Sequence, residues 1–232
     1  MGILERTLKT QSERSLKNFS KGLHFVRCRA YLWFMARTAS YDRDTALDAA
    51  MTLFWVNGYH ATSLKDLEQA LQMRPGSIYA AFHSKEALFH ATIDRYAARM
   101  AANLQTMIDE TPSPIAALQS HLRDLADIAP CDRPSTACML VKSLLEVSSG
   151  NALREVILGH LDRIEGLLTR AVSRAIELGE IPTSSDPSRI ARRLQTYIFG
   201  LKIQAQRETD PGRMRDLCTD LAEEIGRLRR TA

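Results

Sequence analysis

The sequence predicts an all-α protein of about nine helices, and three observations carry that prediction. Apolar residues recur at helical spacing along most of the chain from residue 42 onward. Glycine (11) and proline (8) are sparse and fall where helices start or stop. Nothing resembles a series of short alternating strands. At 232 residues the chain can bury a sizeable core as one domain or two. Its 25% charged and 45% hydrophobic residues are the composition of an ordered chain, not a disordered one.

Each element has its own signal. Leu47, Ala50, Met51 and Phe54 stand at i, i+3, i+4 and i+7, and Asn57-Gly58 ends that helix. Ser63-Leu64-Lys65-Asp66 is a capping-box pattern, opening a helix with Leu64, Leu67 and Leu71 on one face. Pro75 suits the first turn of a third helix, where its missing N–H would have had no partner. Ser84 is placed to cap a fourth, with Phe89, Ile93, Tyr96 and Met100 as its apolar stripe. TPSP at 111–114 breaks the chain before Ile115, Leu118, Leu122 and Leu125 resume the period. A loop around 129–136 precedes a helix with Leu140, Leu144 and Val147, and 151–178 reads as one long helix ended by Gly179. SSDPSRI and TDPGRM each set Asp before Pro, predicting helices near 187–207 and 211–229. The first three helices are expected to be short and the rest long. The domain boundary is expected within or just after the fourth, giving a head over 35–96 and a body over 97–232.

Charge has to be mapped before it is used. The net charge of +4 invites a nucleic-acid partner, but residues 1–41 hold eight Lys/Arg against two Asp/Glu. That leaves 23 basic and 25 acidic residues in the remainder, so the positive balance belongs to the leader and not to the folded body. Residues 1–34 admit three readings: a basic arm attracted to phosphate, a transit peptide, or an upstream extension ahead of a true start at Met35. The last is preferred, since Met35 begins a polar arm of ordinary length before the first well-patterned helix. Cys28, Cys131, Cys138 and Cys218 show no CxxC and no zinc-like spacing. HFVRCRAYLWFMA is broken by arginines, so no membrane helix is expected. A reduced, cytoplasmic protein is the simplest account.

Function is carried by residues 63–83. Two short helices joined by a tight turn form a helix-turn-helix, whose second helix can lie in the DNA major groove. Ile78, Ala81 and Phe82 fall at i, i+3 and i+4 and turn inward, while Gly76, Ser77, Ala80 and His83 leave the other face small and polar. Without bulk there, the helix that Pro75 opens can press its N–H groups and dipole onto a duplex. Arg74, at the turn, is the side chain built for a bidentate bond to guanine. Thr62, Ser63, Tyr79 and Lys85 stand at the edges, where phosphates would lie. Helix pairs with short turns are also ordinary structural units, so the pattern alone leaves both readings open.

The residues themselves go further. The stretch GYHATSLKDLEQALQMRPGSIYAAFHSKEALF resembles the signature of the TetR family of bacterial regulators. In that family F-x-x-x-G-Y-x-x-T-(S/T) leads into the first motif helix, and G-(S/T)-(I/L)-Y-x-x-F-x-(S/N)-K-E-x-L spans the recognition helix and the start of the fourth. Phe54, Gly58, Tyr59, Thr62, Ser63, Gly76, Ser77, Ile78, Tyr79, Phe82, Ser84, Lys85, Glu86 and Leu88 match. The resemblance covers roughly 42–96; the remainder is similar only in its helix plan. Two positions depart from it: Gln72 stands where a turn glycine is frequent, and Ala81 where an aromatic or histidine is frequent.

The resemblance implies a homodimer with two DNA-binding heads and a C-terminal body that dimerises and binds a small effector. It implies a near-palindromic operator in double-stranded DNA and repression as the usual mode, with activation or a thiol-based redox response as alternatives on the same fold. Its last two long helices would form the dimer interface through Ile190, Leu194, Tyr197, Ile198, Gly200 and Leu201, with Met214, Leu217, Leu221 and Leu228. The same stripes read as the chain's own core without it. Polar or sulfur groups on apolar faces mark the candidate effector contacts, namely His121, Cys138, Ser143, His160, Gln195 and Tyr197. Each also fits as a satisfied core residue. Cys138, at a helix start, and Cys131, in a loop, are the candidate sensor thiols. No G-x-S-x-G, H-E-x-x-H or phosphate-binding glycine loop occurs, and the six histidines are scattered. No enzyme activity, cofactor or metal is therefore expected.

Overall fold

The computed structural model describes residues 42–127, 135 and 137–229. The leader, Met35, Cys28, Cys131 and most of the 129–136 loop lie outside those residues. The described part is built from helices alone, and those from Arg43 onward pack as one unit.

Helix α1 (Arg43–Asn57) ends where Gly58 turns to φ +87 and returns its N–H to Phe54 O at 2.8 Å. Helix α2 (Leu64–Leu71) opens on the expected capping box, with Ser63 and Asp66 satisfying each other's backbone N–H. Pro75 is the first residue of α3 (Pro75–Phe82), and Ser84 caps α4 (Lys85–Glu110) by accepting from Ala87 N. Helix α5 (Pro114–Asp124) runs into a 3-10 turn at Leu125–Asp127, and α6 (Met139–Glu146) is the next described helix. Helix α7 (Ala152–Glu177) closes on Gly179 at φ +74, with Glu180 N bonding Ala175 O and Gly179 N bonding Ile176 O. Those paired bonds satisfy carbonyls that the helix end leaves free. Asp186 and Asp210 cap α8 (Pro187–Arg207) and α9 (Pro211–Gly226), each followed by proline at the first helical position.

Lengths depart from expectation at three places. Helix α1 has 15 residues and is not short, whereas α6 has 8 and is no longer than α2 or α3. Val147, the last of the predicted α6 stripe, is the extended C-cap residue and still buries its side chain. The last helix stops at Gly226 and not near 229, since glycine is a poor helix former.

Two apolar cores result. The first joins α1, α2, α3 and the start of α4 to α6 and the first half of α7. The second joins the rest of α4 and α7 to α5, α8 and α9. This partition corrects the interface assignment. Ile190, Leu194, Ile198, Leu201 and Met214 are buried in the second core, and Tyr197, Leu221 and Leu228 pack partly against it. Helical period shows that a stripe is apolar but not which neighbour fills it, and here the chain's own helices do. Of the assigned residues, Gly200 and Leu217 remain exposed, and Ile203 joins them at 53%.

A charged network ties α4 to α1. Arg95 grips Asp48 at 2.6 Å and Asp44 at 2.8 Å, and Arg99 adds a third bond to Asp48 at 2.7 Å. Burial works to raise the Asp48 carboxyl's pKa, and the bonds from Arg95 and Arg99 more than offset it, leaving it lowered. A carboxyl with a depressed folded pKa stabilises the fold above its unfolded value, near about 3.9, and loses that contribution as pH falls through the folded one. Asp48→Asn should therefore flatten the acid limb of a stability-versus-pH curve below about pH 4. An acid limb identical to wild type would show that the network does not act this way.

Candidate nucleic-acid interface

Helix α3 is a platform with its bulk underneath. Ile78 and Phe82 are buried at 1% and 3%, while Arg74, Gly76, Ser77, Tyr79, Ala80 and His83 are exposed, with Pro75 half-exposed. A Cβ built on Gly76 would meet nothing within 4 Å, so the fold itself does not demand glycine there. Its effect is to keep the surface low beside the helix N-terminus, where the helix dipole favours an anion.

The platform is bracketed by backbone that L-residues seldom adopt. Gln72 (φ 52) and His83 (φ 67) are the two non-glycine residues with positive φ among those described. Gln72 ends α2 in the left-handed region, which costs a non-glycine residue roughly 1–2 kcal/mol. The turn thus accepts the side chain that replaces the frequent glycine. Just beyond it, Arg74 sits extended at the N-cap of α3 and its carbonyl accepts from Ser77 N and Ile78 N. Its guanidinium caps nothing and stands exposed at the helix tip.

The predicted edge residues divide. Thr62 is buried at 1% and its hydroxyl donates to Gly58 O at 2.7 Å, so its side chain pins the α1–α2 turn and does not face a phosphate. Ser63 is exposed, but its hydroxyl proton goes to Asp66 Oδ2 at 2.6 Å. Together with the backbone N–H of Ser63, that bond holds the Asp66 carboxyl below the usual carboxylate range. The Lys85 ammonium lies 4.5 Å over the Tyr59 ring. Partial burial lowers its pKa against the opposing pull of Asp66 and Glu146. Tyr59 in turn packs on Phe89 and Phe54, with centroids at 4.8 and 6.3 Å. Arg43, which sequence reasoning passed over, places its guanidinium 5.2 Å from the Phe82 centroid and adds an exposed cation beside α3. Nothing local distinguishes it, because its distance from Phe82 is set by packing.

Comparison with known proteins decides what this platform belongs to. Residues 46–92 match the family described as bacterial regulatory proteins, tetR family, and residues 114–221 match the tetracyclin repressor-like C-terminal domain. The transcriptional repressor ComR of Escherichia coli (strain K12) is 34% identical over 173 residues, covering 73% of this chain and 82% of ComR. The chain belongs to the TetR family of bacterial regulatory proteins. It is a DNA-binding transcriptional regulator of that family. A cysteine-substituted CifR, solved with 26bp double-strand operator DNA, superposes with a TM-score of 0.72 at 28% identity, covering 84% of this chain and all of that one. A TetR-family regulator from Cytophaga hutchinsonii shares the fold at TM-score 0.74 and 20% identity, covering 82% and 96% of the two chains.

In this TetR-family chain three of the six candidate effector contacts are engaged on separate helix pairs. Gln195 Nε2 donates to Leu161 O at 2.8 Å, joining α8 to α7. The Tyr197 hydroxyl donates to Glu224 at 2.6 Å on α9, and burial and that carboxylate raise its pKa. His160 Nε2 lies 2.7 Å from Asp94, joining α7 to α4. Cys138, the N-cap residue of α6, and Ser143 within it are buried at 3% and 4%, and His121 is half-exposed in the last turn of α5. At Cys138 the small-hydrophobe reading fits the burial. The Cys218 thiol is also buried, which together with Asp127 pushes its pKa up to about 11. An open groove of about 410 Å³ at the end of α4, lined by Asn103, Thr106, Met107, Glu110 and Thr111, includes none of the six.

Proposed function

We propose that this regulator is a cytoplasmic repressor that binds a near-palindromic operator as a homodimer and leaves it when a small, partly apolar effector binds the body. The observation that carries the DNA-contact part is the α3 tip, where exposed Arg74 stands beside a glycine with open space around it. The repressor ComR, similar over most of its length, and CifR, solved with operator DNA, support the reading. Arg74, Pro75, Gly76, Ser77, Tyr79, Ala80, His83 and Lys85 remain the proposed DNA contacts, with Arg43 added. Among the described residues no helix is long and apolar enough to cross a membrane.

The proposed dimer face shifts from the buried stripes to the exposed Gly200, Ile203 and Leu217 on α8 and α9. Two-fold pairing of that face would set the spacing of two heads, and an effector shifts the balance only through its differing affinity for the two spacings. The test is retention of DNA from upstream of the protein's own coding region, read against salt. Specific binding that weakens steeply with salt supports the proposal. Salt-insensitive or sequence-indifferent retention refutes it. The double substitution Ile203→Glu and Leu217→Glu should convert the sedimenting species to monomer; an unchanged dimer would place the interface elsewhere.

A further inference from the structure

The DNA-contact reading leaves α6 unused, yet α6 and the residue ahead of its N-cap make a dense set of bonds with the head. Lys142 Nζ donates to the carbonyls of Trp55 and Val56 at 2.6 and 3.0 Å, the last turn of α1. A cation there satisfies free carbonyls and sits at the negative end of the helix dipole. Trp55 Nε1 answers by donating to Ala137 O, just ahead of α6, at 2.6 Å. Four residues beyond Lys142, Glu146 accepts the backbone N–H of Tyr59 at 2.8 Å and of His60 at 3.4 Å. The His60 ring lies 3.3 Å from Glu146 O. Gly58 completes the fit, since a Cβ there would collide with the Glu146 carboxylate. Its φ of +87 makes any side chain strained in addition.

These bonds end at a proposed phosphate contact. Tyr59, whose N–H Glu146 holds, carries the ring under the Lys85 ammonium. The packing agrees, because Cys138, Met139, Leu140 and Val147 share the core of the head and not that of the body. We infer that Glu146 and Lys142 are positioning residues for DNA binding: α6 travels with the head and holds the Gly58–His60 turn so that Tyr59 presents Lys85. The inference rests on the DNA-contact reading of Lys85.

Charge and position predict opposite signs for one substitution. Glu146 is a negative group near the surface proposed to meet phosphates, so by charge alone its removal would tighten binding. If it positions the turn, removal weakens binding in spite of the lost repulsion. The probe is a duplex selected from a random library by the wild-type protein, with a scrambled duplex as reference. Glu146→Ala is expected to weaken binding about tenfold and to lower the salt slope by about one. Glu146→Gln, which keeps an acceptor oxygen, should lose less. Amide exchange at Tyr59 and His60 should accelerate about tenfold in Glu146→Ala, with the core amides of α4 and α7 unchanged. In a Lys85→Ala background the Glu146 substitution should add nothing further. Unchanged or tighter binding by Glu146→Ala, or full additivity with Lys85→Ala, overturns the inference while leaving the DNA-binding role intact. Failure of the wild-type protein to select any duplex would instead remove that role, and the inference with it.

Discussion

Arg74→Ala is expected to weaken operator binding by roughly tenfold to a hundredfold and to relax the preference at one base pair in each half-site, the loss of one bidentate contact worth about 1–3 kcal/mol. The fold should not change. Arg74 holds the N-cap through its backbone, accepting from Ser77 N and Ile78 N, and its side chain caps nothing. Alanine preserves those backbone bonds. A competition assay over a half-site library separates the two parts of the expectation, since affinity for scrambled DNA should fall far less than affinity for the operator. Lys85→Ala supplies the contrast: it should weaken all sequences about equally and reduce the salt slope by about one. If Arg74→Ala also weakened all sequences equally, it would be a phosphate contact, and base reading would fall to other residues of α3.

The second large effect concerns stability. Phe89→Ala should cost about 3–5 kcal/mol, the range for emptying a buried aromatic site. Phe89 is 1% exposed, with its ring 4.9 Å edge-on from Phe54 and 4.8 Å from Tyr59. Removing it leaves the space between α1, α4 and the α1–α2 turn unfilled, and Tyr59 is the support of Lys85. Against a typical total of about 5–15 kcal/mol this is a large share, so DNA binding should fail well below the wild-type melting temperature. Denaturant unfolding measures it. A loss under about 1 kcal/mol would mean that the site collapses around the cavity, and that the aromatic cluster is not the support it is taken to be.

The head was legible in the sequence because its signals are local. A capping box spans four residues, a proline marks its own helix start, and Asn57-Gly58 stops a helix where it stands. The same holds for Asp186-Pro187 and Asp210-Pro211, which open α8 and α9 where expected. Thr62 was misread for the complementary reason. Its position at the edge of the motif is visible in the sequence, but its hydroxyl turns inward to Gly58 O only because the turn folds back on itself. The dimer stripe failed in the same way, since Ile190, Leu194, Ile198 and Leu201 have the period of a buried face whoever covers it.

By itself, then, the sequence determined the helices, their caps, the small-faced α3 with Arg74 at its tip, and the family those residues mark. Those features depend on neighbours within a turn or two, where backbone hydrogen bonding and side-chain spacing decide the outcome. Only the tertiary structure decided which apolar stripes close on the chain itself, which side chains stay exposed on α8 and α9, and that Glu146, 87 residues from Tyr59 in sequence, holds its backbone N–H. Such pairings join segments far apart in the chain, and no local periodicity encodes them.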